Sequence, residues 1–185
     1  EAFGQSERHR TVEAQQHMAD IGLRVLAFAY RRLEPGQPAR EAGMVLSGLI
    51  GLYDPPRPEV PEAIARCRTA GIKVIMVTGD HPHTALAIAR EIGLVGRENH
   101  GHGEHSSRPR VILGESLRRM TRAQLQTVLD SPEVLFARVS AEQKMLVVEA
   151  LKRKGEIVAV TGDGVNDAPA LKSAHIGIAM GLAGT

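Results

Sequence analysis

Three short apolar runs constrain this chain most: "IKVIMV" (72–77), "VLFA" (134–137) and "IVAV" (157–160). Each stops at a polar turn. "TGD" follows the first, Arg138 the second and "TGDGVND" the third. The helical pattern "EVPEAIARCRTAG" precedes the first run, and "HTALAIAREIG", "TRAQLQTVLD" and "SAEQKMLVVEALKRKG" lie between the runs. Unbroken apolar runs suit strands buried on both faces, the condition of a parallel sheet. Strands alternating with helices predict βαβ units and a doubly wound α/β fold. In such sheets ligands bind beyond the C-terminal ends of the strands, so the turns after the runs are the candidate site.

Upstream the pattern differs. Residues 7–21 read as a helix with apolar or small positions at Val12, Ala14, Met18, Ala19 and Ile21, ended by Gly22. "LRVLAFAYRRL" and "MVLSGLIGLYD" read as strands, joined by the polar loop "EPGQPAREAG". The break falls at "DPPRPEVP", whose prolines precede the first helix of the α/β pattern. This divides the chain into residues 1–50 and 51–185. Downstream, "VIL" (111–113) is a further short strand, "NDAPALKSA" a short helix and "IGIAMG" a last strand. The chain opens on Glu1 and closes on "AMGLAGT" without a capping element, so we expect both ends to lie inside a longer polypeptide.

The turns carry specific chemistry. In "VTGD" (77–80), the Thr78 hydroxyl and the backbone amides that follow it can hold phosphate oxygens, and Gly79 allows close approach. As a bare pattern it also fits a plain turn before a helix. Lys144 lies in the first turns of a helix, where the dipole favours an anion and a lysine can neutralise a transferring phosphoryl group. Alone, it also reads as a solvated helix lysine. "GDGVNDA" packs Asp163, Asp167, Asn166 and two glycines into seven residues at a strand exit. Two neighbouring carboxylates repel, and magnesium would offset that repulsion: it takes one or two carboxylates, waters and a phosphate oxygen. Asn166 can bond a phosphate or fix a carboxylate, and Asn166 or Asp167 can also cap the helix that follows.

Other residues read as structural. His100, His102 and His105 in "NHGHGEH" could bind a metal, but a Gly-rich loop is the simpler reading. Cys67 reads as a core or half-buried thiol, and "KRK" (152–154) as a solvated helix end that complements the dipole. A net charge of +2 gives no argument for nucleic acid or an anionic membrane, and two Tyr, three Phe and no Trp leave little to stack on bases. A single cysteine excludes an internal disulfide and is compatible with a reducing compartment. No apolar run approaches the roughly 18 residues of a membrane span.

Taken together, "DPPRPEVPEAIARCRTAGIKVIMVTGDHPHTALAIAREIGL", "LFARVSAEQKMLVVEALKRKGEIVAVTGDGVNDAPALKSAHIGIAMG" and "GLRVLAFAYR" resemble the phosphorylation domain of P-type cation-transporting ATPases. They look most like the pumps for calcium, or for sodium/potassium and protons. The resemblance covers about residues 20–183 and implies a Rossmannoid, haloacid dehalogenase-like parallel sheet flanked by helices. It makes residues 1–50 the end of a nucleotide-binding domain and 51–185 most of the phosphorylation domain. It implies Mg²⁺ and ATP as cofactors, a transported cation, and a place on the cytoplasmic face of a membrane. By matching position, Thr78 and Gly79 would contact an aspartyl-phosphate and Lys144 would stabilise its charge. Asp163 would ligate Mg²⁺, supported by Asn166 and Asp167. Arg24 would reach the ATP phosphates, and Asp54, Asp80 and Arg138 would lie along the nucleotide path.

One departure is large. The family's nucleophile sits in Asp-Lys-Thr-Gly-Thr, which this sequence lacks. In the family that string precedes the nucleotide-binding domain, which would place it upstream of Glu1. The chain alone is therefore expected to form no phosphoenzyme. The string also forms a central strand, between the strands ending at Thr78 and Thr161. Its absence should leave two unpaired edges, and hence rearrangement, pairing between chains or poor stability. A soluble phosphatase of the same superfamily and a non-catalytic Mg²⁺- or nucleotide-binding module are the alternative readings.

Overall fold

The computed structural model describes residues 4–96 and 109–181, so the histidines of "NHGHGEH" lie outside the described residues. The chain forms two compact units, Glu1–Arg57 and Pro58–Thr185.

In the first unit a helix, α1 (Gln5–Asp20), precedes two antiparallel strands, β1 (Arg24–Tyr30) and β2 (Val45–Leu52). Glu7 closes the start of α1 by accepting from the Gly4 amide at 3.0 Å. Only Ala19 of the expected apolar stripe is buried; Val12 and Ile21 are exposed. A bulge between Phe28 and Ala29 shifts the register of the strand pair. Leu26, Phe28 and Tyr30 share one face of β1 by their two-residue spacing, and all three are exposed.

In the second unit the α/β order read from the sequence is present. Helix α2 (Val60–Thr69) leads to β3 (Met76–Val77), then α3 (Pro82–Glu91). After the segment outside the description come β4 (Arg110–Leu113), α4 (Gly114–Arg119), α5 (Arg122–Asp130) and β5 (Val134–Ala137). The unit closes with α6 (Ala141–Arg153), β6 (Ala159–Gly162), a 3₁₀ turn (Val165–Asp167), α7 (Ala168–Ser173) and β7 (Ile176–Ala179). The caps follow from sequence. Ser140 Oγ accepts from the Gln143 amide at the start of α6, and Gly155, at φ 84°, stops it in the left-handed conformation that favours glycine.

β5 is the middle strand of a parallel sheet ordered β3-β5-β4. Its Leu135, Phe136 and Ala137 are fully buried. Its two faces feed two cores: Phe136 packs with Leu117, Leu125, Val128 and Val147, while Leu135 and Ala137 pack with Ala85, Ala89 and Ile92. β6 and β7 form a second, separate parallel pair. Helix α6 serves both sheets. Val147 and Ala150 face the first core, Val148 joins Val158 and Ala170 in a third, and Leu151 touches both.

Among the described residues no ladder joins β3 to β6, and each is an edge strand of its own sheet. Both strands are shorter than the apolar runs. The run 72–77 pairs only at Met76 and Val77, and β6 starts at Ala159, leaving Ile157 77% exposed.

Candidate functional site

Thr78, Gly79, Asp80, Arg138, Asp163, Asn166 and Asp167 lie in the turns after parallel strands, and Lys144 lies in the first turn of α6, but the sequence did not show how they are held. The Thr78 amide donates to Phe136 O at 2.9 Å, continuing the β3–β5 ladder into the turn. The Thr78 hydroxyl donates to Asp80 Oδ2 at 2.8 Å and accepts from the Asp80 amide at 3.1 Å. Thr78 and Asp80 thus form one closed turn around the exposed Gly79. To bond a phosphate oxygen, the hydroxyl must exchange its bond to Asp80 for one to the ligand.

The turn after β5 is tied to this one. Arg138, exposed and at φ 55°, donates its amide to Asp80 O at 3.0 Å. Val139 donates to Thr78 O at 3.2 Å. A left-handed arginine is strained and persists only where neighbours fix it. His81, which caps α3 by accepting from the His83 amide, adjoins the same place. Its imidazole is held below the usual histidine range, first by burial and then by the charges of Arg138 and His83.

Lys144 meets the third turn. Its Nζ lies 2.5 Å from Asp167 Oδ1, and the two side chains are only 18% and 14% exposed. Asp167 Oδ2 also accepts from the Gly164 amide at 3.3 Å. Burial pushes the Asp167 carboxyl up, but the hydrogen bond and charge of Lys144, with the amides of Gly164 and Asp163, outweigh it and hold the group below the usual carboxylate range. Lys144 therefore offsets the Asp163–Asp167 repulsion on the Asp167 side, a role the sequence reading gave to magnesium alone.

Gly162 explains the spacing. A Cβ there would lie 2.4 Å from Asp167 Cβ, so the aspartate packs directly on the glycine. Close packing, and not backbone freedom, requires the glycine, because Gly162 is not among the positive-φ glycines. Asp163 and Asn166 stand exposed on the same turn. The sequence reading missed Gln143, although the pattern Ser140-x-x-Gln143 of a capping box pointed to its role in the helix cap.

Among the described residues no three His, Cys, Asp or Glu side chains converge into a ready-made metal cage. The donor set suits Mg²⁺ nonetheless, since that ion keeps several waters and shares one or two carboxylates with a phosphate. Asp163 is the solvent-exposed carboxylate of the turn; Asp167 is engaged by Lys144. A cavity of about 630 Å³ lies at the opposite end, by the starts of β3 and β5. Two of its three lining cations, Arg68 and Lys73, donate to helix ends, at Gly93 O (2.9 Å) and Leu129 O (2.6 Å).

In the first unit Arg24 opens β1 and Asp54 follows β2, both exposed. Among the described residues no helix is long and apolar enough to cross a membrane.

A family model for haloacid dehalogenase-like hydrolases matches residues 5–175. The chain is 46% identical to calcium-transporting ATPase 1 of Yarrowia lipolytica over 99% of its own length and 19% of that protein's. It is 44% identical to the sodium/potassium-transporting ATPase subunit alpha-2 of Gallus gallus, over 91% of this chain and 19% of the relative. With the potassium-transporting ATPase alpha chain 2 of Cavia porcellus it shares 41% identity over 93% of its length, again 19% of the relative. The chain thus spans about a fifth of these relatives, and the resemblance to cation-transporting ATPases read from its motifs is borne out. It belongs to the haloacid dehalogenase-like hydrolase family.

Proposed function

We propose that this chain, as a haloacid dehalogenase-like hydrolase, supplies most of the phosphorylation domain of an ATP-driven cation pump. The nucleophilic aspartate would be carried on a strand outside these residues, inserted between β3 and β6. The observation that carries the reading is the Lys144–Asp167 pair at the turn that also bears the exposed Asp163. Asp163 would hold Mg²⁺, which would supply positive charge to the phosphoryl oxygens. Lys144 would present its Nζ to the same group while Asp167 keeps that ammonium oriented and charged. The Thr78 hydroxyl and Gly79 amide would bind phosphoryl oxygens on the other side, with Asn166 steadying the metal turn. Arg24, Asp54, Asp80 and Arg138 would line the path of the ATP. Transport would follow from the phosphorylation cycle in membrane segments, with this part on the cytoplasmic face.

The test is incorporation of ³²P from ATP in the full-length protein, read as acid-stable, hydroxylamine-sensitive label. Label in that protein, its loss in Lys144→Ala, and none in this chain alone are the expected results. Label on this chain alone would overturn the placement of the nucleophile. An unlabelled full-length protein would overturn the pump.

A further inference from the structure

Gln143 and Thr84 are the buried polar side chains among the described residues, and Gln143 is 7% exposed. Both ends of its carboxamide are used. Oε1 accepts from the Ser140 amide at 3.0 Å, inside the cap of α6. Nε2 donates to Gly114 O at 2.6 Å, in an element 29 residues away in sequence. Gly114 opens α4 directly after β4 and has no room for a side chain. A Cβ there would sit 2.2 Å from Arg138 O and 2.7 Å from Gln143 Oε1. The left-handed backbone of Arg138 is thereby held at both ends: Gly114 lies against its carbonyl, and its amide is bonded to Asp80 O. Val139 adds the bond to Thr78 O.

The geometry points to Gln143 as a positioning residue for the phosphate-facing turn. Its bond to Gly114 fixes the loop between β5 and α6, and that loop, through Arg138 and Val139, fixes Asp80 and Thr78. The same side chain sets the first turn of α6, from which Lys144 projects. A buried donor that lost Gly114 O would be left unsatisfied, so the link is held by more than the bond itself. What the positioned turn acts on rests on the proposed function above; the linkage itself does not.

Gln143→Glu isolates the link. A glutamate at this helix position keeps the acceptor for the Ser140 amide and removes the donor to Gly114. Ser140→Ala is the comparator: it weakens the same cap and leaves the Gly114 bond. Hydrogen exchange and ¹⁵N–¹H spectra of the whole chain give the readout. In Gln143→Glu, exchange at the Arg138 and Val139 amides should accelerate roughly tenfold or more, with shifted resonances at Thr78, Gly79 and Asp80. Ser140→Ala should lower the melting temperature and leave those five residues in place. Equal movement in both variants, or none in Gln143→Glu, overturns the proposal.

A measurement on the unaltered chain guards against a variant that does not fold. The Gln143 side-chain amide protons should exchange on the slow scale of the Arg138 and Val139 amides. Exchange at the rate of an exposed carboxamide overturns the link. In the full-length protein, Gln143→Glu should slow phosphoenzyme formation by roughly tenfold or more without weakening nucleotide binding. A full-length protein that takes no label would end the proposed function, yet leave the exchange results standing, so the two fail separately.

Discussion

Asp167 folds back over Gly162, five positions earlier in the chain, so closely that the glycine has no space for a Cβ. That contact places the carboxylate 2.5 Å from the Lys144 ammonium. One small residue thus couples the end of β6 to the first turns of α6. Gly162→Ala should destabilise the chain by about 2 kcal/mol, the usual cost of forcing volume into a packed site. Asp167→Gly should lose the ion pair but accept the alanine, so the two changes should be less than additive in a denaturant double-mutant cycle. Simple additivity would contradict the contact.

The Lys144–Asp167 pair predicts how stability depends on pH. The Asp167 carboxyl is depressed in the folded chain, from an ordinary value of 3.8. The unfolded chain therefore binds more protons in acid, and the pair's stabilisation is present above that ordinary value. It fades as pH falls below 3.8 through the depressed folded value. Melts from pH 7 to pH 2 should show Asp167→Asn less acid-sensitive than the unaltered chain. Lys144→Met should cost about 2 kcal/mol at pH 7, as for a charged hydrogen bond whose partner stays half-buried. Identical pH profiles for Asp167→Asn and the unaltered chain would remove the pair from the account.

β5 should anchor the second unit. Phe136 is fully buried and packs with residues of α4, α5 and α6. Phe136→Ala should cost roughly 3–5 kcal/mol, enough to unfold most of a marginal domain. Chemical denaturation checks it, and a loss below about 1 kcal/mol would mean the core relaxes around the cavity.

β3 and β6 are each edge strands, paired on one side only among the described residues, and an edge leaves backbone groups available to another chain. Ile157, Ile176 and Ile178 add exposed apolar surface on the β6–β7 side. The isolated chain should self-associate, with a sedimentation coefficient that rises with concentration. Ile176→Lys with Ile178→Lys should suppress the rise. A monomer at every concentration would show that open edges do not drive association here.

Much of this was legible because period and punctuation agree. The run 134–137 is apolar at every position, and the buried middle strand is what such a run predicts. Ser140 and Gly155 bracket α6 as caps should. The expected strands at 72–77 and 157–160 came out short or shifted, because strand length depends on a neighbour as well as on apolar residues. Val158, inside the second run, spends its amide on His175 Nδ1 at 3.1 Å instead of on a ladder. Helix α4, without a side-chain cap, gave no signal. At the site, residue types were readable and partners were not. Asp163 and Asp167 look alike in sequence, yet one is exposed and the other is engaged by Lys144, 23 positions away. Only folding brings Gln143 to Gly114 or Arg138 to Asp80.

If this segment works inside a membrane pump, the native polypeptide must be large and membrane-bound. The direct measurement is the size and membrane partition of the native polypeptide, using an antibody raised to residues 58–96 on fractionated cells. The account predicts a band several-fold heavier than the 19.9 kDa of this chain, pelleting with membranes. A soluble band near 19.9 kDa would contradict it.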